Sequence, residues 1–247
     1  MKITENTILI TGGTSGIGLA FAEEFIKEGN KVIITGRRGD RLDAIKIKFP
    51  EIITKVSDVA DSDQRKELAE WVQLHHPGTN ILINNAGIQL DADLTNPSNM
   101  ERVRSEVETN FIAPVHLTSL FIQHLLNKEN AAIINITSGL AFVPIAFMPI
   151  YCATKAAMHS LTLSLRYQLK DTTIKVFEII PPSVDTELGH DRREDKSQSH
   201  GGIPVHEFID GALMALKNDT FEAPIGQSVG LREKREILFE HINSRFN

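Results

Sequence analysis

Tyr151 and Lys155 stand four residues apart in the helix-length stretch Ile150–Leu169, so on a helix both project from one face. A free phenol gives up its proton only near pH ~10, and a neighbouring ammonium favours the phenolate. Lowering that value by ~2–3 units corresponds to about 3–4 kcal/mol and brings the phenol towards the range of efficient proton transfer. Pro149 sits where the first turn of such a helix begins. Ser138, just beyond the apolar run Ala132–Ile136, carries a hydroxyl that can hydrogen-bond a substrate oxygen as charge develops on it. Asn110 falls inside another helical stretch, a poor place for an amide unless it has a partner. Singly these are ordinary residues, and a Tyr and Lys four apart are usually an exposed pair. Their weight comes from what accompanies them.

Thr11-Gly12-Gly13-Thr14-Ser15-Gly16-Ile17-Gly18 joins the apolar run Thr7–Ile10 to an amphipathic stretch. In that stretch Ile17, Ala20, Phe21 and Phe25 share one face, while Glu23, Glu24, Lys27 and Glu28 take the other. Glycines here let the chain turn sharply, let backbone approach a pyrophosphate and let helix pack on strand; the helix N-terminus offers free N–H groups to the anion. This is the placement of a dinucleotide-binding loop, and no Gly-Lys-Ser/Thr follows to make it an ATP loop. The next strand-like run ends in Thr35-Gly36-Arg37-Arg38. An acidic residue at that end would grip the ribose hydroxyls. The guanidinium groups of Arg37 and Arg38 instead suit a 2′-phosphate, so NADP(H) is the preferred coenzyme and NAD(H) an admissible one. Asp40 is close enough in sequence to neutralise one of the pair. Lys155 can then also hold the nicotinamide ribose.

The elements that must position these residues are legible as an alternation. Thr7–Ile10, Lys31–Thr35, Ile52–Val56, Asn80–Ile83, Ala132–Ile136 and Ile174–Ile180 are short runs rich in Ile and Val, as strands covered on both faces require. Phe221–Ile225 suggests a short seventh. Between and after them come helix-length stretches, the longer ones being Asn99–Asn127, Ile150–Leu169, Val205–Lys217 and Leu231–Asn243. The expected fold is α/β: a doubly wound parallel sheet of Rossmann type, six to seven strands, helices on both faces, one domain over residues 1–247. Thr186–Gly202 is polar and lacks an apolar period. It reads as a solvated loop or, from its place after the last long strand, as a lid over the substrate.

With these motifs in view, the sequence resembles the short-chain dehydrogenase/reductase family, in its single-domain branch of about this length. That branch spaces its three glycines as Gly12, Gly16 and Gly18 are spaced here, and the matching motifs run from Thr11 to Thr186. The resemblance implies that Asn110, Ser138, Tyr151 and Lys155 are the catalytic tetrad, with Asn110 holding a water that links Lys155 to solvent. Asn84-Asn85-Ala86-Gly87 matches a family motif at the end of the fourth strand, implying that Asn85, Ala86 and Gly87 stabilise the sheet and line the adenine-ribose side. Asp58-Val59 resembles the pair that contacts the adenine ring. Thr14, Ser15 and Ile17 join the glycines as coenzyme-binding residues, as do Asn110, Tyr151 and Lys155. Pro181-Pro182-Ser183-Val184-Asp185-Thr186 resembles the segment lining the nicotinamide amide, which implicates Pro181, Val184 and Thr186. Pro182 replaces the family's glycine there, removing an N–H donor and stiffening the loop. The tail, Ile225-Gly226-Gln227 through Leu231-Arg232, resembles short-chain reductases encoded beside teichoic-acid D-alanylation genes. A homodimer or homotetramer, built partly from Asn99–Asn127 and Ile150–Leu169, is also implied.

Composition narrows the remaining classes. Twenty-six basic against thirty-two acidic residues leave a net charge of −6, which disfavours nucleic acid or an anionic membrane as partner. The single cysteine, Cys152, excludes an internal disulfide and a cysteine-based zinc cluster, and its burial as a packed side chain is expected. The histidines show no metal-binding pair; His190, His200 and His206, which could meet in the lid, are set aside, and no metal is expected. The longest apolar stretch, Ala141–Ile150, is broken by Pro144 and Pro149, so no membrane span is expected, nor is a secretory signal expected from the N-terminal residues. A cytoplasmic protein acting on a small molecule is the expectation. The reaction would be hydride transfer between NADP(H) and a carbonyl or alcohol, Tyr151 moving the proton and Ser138 polarising the oxygen. Leu140, Phe142, Val143, Phe147 and Met148 would either pack internally or wall the substrate. The alternative is a catalytically silent dinucleotide sensor, which would need the glycine loop but not Tyr151 and Lys155 together. A second is enoyl reduction, against which the Ser138–Tyr151 arrangement weighs.

Overall fold

Runs of Ile and Val with no polar alternation can be strands only if both faces are covered, and that is how they are used. The computed structural model describes residues 1–95, 100–189 and 201–244. Its strands are β1 (Thr7–Thr11), β2 (Lys31–Gly36), β3 (Ile53–Val56), β4 (Ile81–Asn84), β5 (Ala132–Ile136), β6 (Lys175–Ile180) and β7 (Glu222–Pro224). They form one sheet in the order β3-β2-β1-β4-β5-β6-β7, every pairing parallel. The helices are α1 (Gly16–Lys27), α2 (Gly39–Lys48), α3 (Ser62–His75), α4 (Met100–Val107), α5 (Ala113–Leu125), α6 (Pro149–Gln168), α7 (Val205–Lys217), α8 (Ser228–Lys234) and α9 (Phe239–Asn243).

Successive strand residues point to opposite faces, and each face has its own core. Ile8, Ile10, Ile34, Ile83 and Ile134 pack with Phe21 and Phe25 of α1 and Phe208 and Ile209 of α7. Leu9, Ile33, Leu82 and Ile133 pack with Leu68 and Val72 of α3, Leu117 and Phe121 of α5, and Leu165 of α6. Strand order reverses between β1 and β4, so the carboxyl ends of those two strands open a crevice, the usual ligand site of such sheets.

Two helices expected to be continuous are not. Asn99–Asn127 divides into α4, one π-helical turn at Glu108–Ile112, and α5, with Pro114 in the first turn of α5. The extra residue in that turn turns Asn110 onto a buried partner, as described below. Leu231–Asn243 breaks after α8, where Arg235 takes a positive φ of 47° and a 3₁₀ turn leads into α9. Most of the expected lid, residues 190–200 with His190 and His200, lies outside the described residues. Its flanks meet: Val184 pairs with Ile203 in an isolated parallel bridge.

Candidate active site

The glycine loop turns from β1 into α1 against the end of β4. Gly12 has a φ of +68°, and a Cβ there would stand 2.8 Å from the Ala86 Cα, so neither the conformation nor the space admits a side chain. Asn85 locks the two segments. Its Nδ2 donates to the carbonyls of Thr11 (2.8 Å) and Gly12 (3.2 Å), while the Thr11 hydroxyl accepts from the N–H groups of Asn85 and Ala86, both at 3.1 Å. A Cβ on Gly18 would collide with the same Asn85 amide. The loop is thus held open by the strand that follows it in the sheet, a cradle in which side chains have been removed where backbone must pass.

On the next strand end, the Arg38 guanidinium donates to Thr14 Oγ1 (2.8 Å) and Ser15 Oγ (3.0 Å), which sets a cation on the lip of the cradle. Its other face meets Glu187 Oε2 at 3.3 Å, and Arg41 reaches the same oxygen at 2.5 Å. Arg37 lies 4.0 Å from Asp58. The neutralising carboxylates are therefore Glu187 and Asp58, rather than the expected Asp40. Arg41 and Glu187 were not singled out from sequence. Arg41 follows Arg38 by one turn of α2 and could have been; Glu187 arrives from the segment after β6, which no local pattern ties to β2. Thr186 beside it lies close over Gly16.

α6 starts at Pro149 and brings Tyr151 and Lys155 to the sheet's carboxyl edge, each only 5% exposed. The Lys155 ammonium donates to the Ile136 carbonyl at the end of β5 (2.9 Å) and lies 5.6 Å from the centre of the Tyr151 ring. Burial brings its pKa down to about 8, and the charge of Glu106 opposes that fall. The π-helical turn presents Asn110 to the segment after β4. Its Oδ1 accepts from Ile88 N (2.8 Å) and its Nδ2 donates to Ile88 O (2.8 Å) and Thr154 Oγ1 (3.2 Å). That answers the question of how a helix interior keeps an amide. Gly87 packs beside both groups: a Cβ there would be 3.4 Å from Asn110 Oδ1 and 3.7 Å from Lys155 Nζ. Asn84 stays below the site, in a buried amide ladder with Asn135 and Thr118.

Ser138 caps a short 3₁₀ turn (Gly139–Ala141), its Oγ accepting from Leu140 N at 3.1 Å. The Pro181 carbonyl accepts from Gly139 N (2.9 Å), which ties the Ser138 turn to the segment carrying Val184 and Thr186. The expected apolar wall divides. Leu140 and Met148 pack round Tyr151 with Ile145 and Cys152, whereas Phe142 and Val143 turn away onto Ile180. Phe147 lines an open cleft of about 510 Å³ with Asp91, Ala92, Asp93, Leu94 and Pro149. The Cys152 thiol is pushed up by burial and accepts from Ile145 N at 3.3 Å, the state of a packed side chain rather than a nucleophile. Away from this site, His159, Glu178 and Glu222 converge, but Glu178 already pairs with His159 and Thr137, and Glu222 with Arg232. Among the described residues no helix is long and apolar enough to cross a membrane.

The family model described as short chain dehydrogenase matches residues 6–197. The chain belongs to that family. As an oxidoreductase of the short-chain dehydrogenase family, it is 45% identical over the whole of both chains to the uncharacterized oxidoreductase DltE of Bacillus subtilis. Over 70% of this chain and 71% of the relative it is 31% identical to the NADP-dependent 3-hydroxy acid dehydrogenase YdfG of Salmonella typhimurium. Among solved structures, a short-chain dehydrogenase from Sphingobium yanoikuyae in complex with NADPH superposes with a TM-score of 0.80 at 26% identity, covering 88% of this chain and 86% of that one.

Proposed function

We propose that this short-chain dehydrogenase uses NADP(H) to interconvert a carbonyl and an alcohol, with Tyr151 as the acid and base. The observation that carries the reading is the burial of Tyr151 and Lys155 together, against Asn110 and Gly87, at the strand ends where the glycine cradle opens. A bound nicotinamide supplies or accepts the hydride. The remaining roles follow from counting donors and acceptors. Ser138 Oγ accepts from Leu140 N, which leaves its O–H to donate to a substrate oxygen. Lys155 spends one N–H on Ile136 O and keeps two for a ribose hydroxyl, while its charge favours the Tyr151 phenolate. Asn110 uses both amide hydrogens and one lone pair, so one acceptor site remains for a water on the way from Lys155 to solvent.

NADP over NAD is supported by Arg38 on the cradle's lip, by Arg37 and Arg41 beside it, and by the NADP-dependent and NADPH-bound relatives. NADP should raise the melting temperature at concentrations where NAD does not, and equal shifts would remove the preference. Glu187 occupies the guanidinium groups that a 2′-phosphate would use. Glu187→Gln should therefore tighten NADP binding several-fold in a calorimetric titration and leave NAD binding unchanged, whereas Arg38→Ala should weaken NADP selectively. Parallel changes for both coenzymes would place Glu187 outside phosphate recognition. A panel of ketones, aldehydes and alcohols, followed by NADPH absorbance, identifies the substrate class. Assembly as a homodimer or homotetramer is proposed on the exposure of Leu163 and Tyr167 on α6, and light scattering tests it.

A further inference from the structure

Glu106 is a carboxylate 1% exposed, in α4, one helical turn ahead of Asn110. A buried carboxylate costs several kcal/mol unless donors or an opposite charge compensate it. This carboxylate has such a donor. Its Oε1 accepts from Leu90 N at 3.0 Å, while Asn110 holds both backbone polar groups of Ile88. Two side chains on neighbouring turns thus grip alternate residues of the segment that follows Gly87. The same carboxylate acts on Lys155, holding its proton on against the pull of desolvation.

The other titratable groups round Lys155 leave this role to Glu106. Tyr151 lies one turn before it and is the proposed proton carrier. Cys152 is kept neutral by burial. His159, one turn after it, is paired with Glu178 of β6 at 2.8 Å. The π-helical turn and β5 present Asn110 and the Ile136 carbonyl, neither of them charged, and Glu108 of that turn is paired with Arg65 at 2.8 Å.

We propose that Glu106 is a further positioning residue of the active site: its buried carboxylate pins Leu90 beside Ile88 and serves as the counter-charge to Lys155. The proposal rests on Tyr151 and Lys155 being the working pair. It acts through those groups.

A double-mutant cycle on stability tests it without substrate or coenzyme. Glu106→Gln keeps an acceptor for Leu90 N and removes only the charge. In the full-length protein it should lower the melting temperature by several degrees near pH ~6, where Lys155 is protonated, and by clearly less near pH ~9.5, where Lys155 is neutral. In the Lys155→Met background the loss near pH ~6 should disappear. Equal losses in the two backgrounds, or no loss in either, overturn the proposal. Should Glu106→Gln fail to fold, folding of the Glu106→Gln/Lys155→Met double variant supports it, and failure of both variants overturns it. Because nothing is turned over, this cycle can fail while the Tyr151 assay succeeds, and the reverse.

Discussion

Tyr151→Phe is expected to reduce turnover by at least ~10³-fold, near the upper part of what a positioned acid–base group contributes. NADPH binding should stay within about twofold of the parent, since only one hydroxyl is lost from a site whose dinucleotide contacts lie mostly elsewhere. The variant should fold normally. Its ring packs against Leu140, Ile145, Met148 and Cys152, and phenylalanine preserves those contacts. Loss of turnover with intact binding separates a chemical role from a structural one. The measurement is NADPH oxidation with whichever ketone the panel shows to be turned over fastest, beside a fluorescence titration of NADPH. Full activity with that substrate would sink the assignment of Tyr151 as the acid and base.

Lys155→Met should be inactive and more stable than the parent. Desolvation sets the pKa of Lys155 at about 8 in the folded protein, whereas in an unfolded chain a lysine titrates near ~10.4. The folded state therefore binds fewer protons between those two values, and stability rises with pH across that window. Below pH ~8 the whole net cost of keeping the ammonium buried is present, of the order of 3 kcal/mol with the attraction of Glu106 already counted. Methionine fills the same volume without a charge. It should raise the melting temperature near pH ~7 by on the order of 5 °C, and the gain should shrink as pH climbs from ~8 towards ~10.5. A variant that is less stable than the parent near pH ~7, or equally shifted at every pH, contradicts this account. The sign is informative because a merely structural lysine would destabilise when removed; a stability gain accompanied by loss of function marks a group retained for chemistry.

Local pattern made much of this legible. The strand runs are found within a residue or so of where their Ile and Val content puts them, because a buried parallel sheet must be filled with such side chains at every position. Pro149 marks the start of α6, since proline fits a first turn and not a helix interior. Helix continuity was the poorer inference. A π-helical turn at Glu108–Ile112 costs the chain a regular hydrogen bond and is repaid by Asn110's three bonds to Ile88 and Thr154, residues 22 and 44 positions away that no helical period reveals. The break at Arg235 is equally invisible to an apolar count.

Glycines, strands, the α6 start and the spacing of Tyr151 from Lys155 were set by sequence alone, because each expresses a preference felt within a few residues along the chain. The Glu187 carboxylate between Arg38 and Arg41, the Asn85 lock on the glycine loop and the grip of Glu106 on Leu90 were decided only when the sheet closed. Their partners come from separate strands and helices, and a charge or amide chooses among distant partners by the burial and distance that the assembled layers impose.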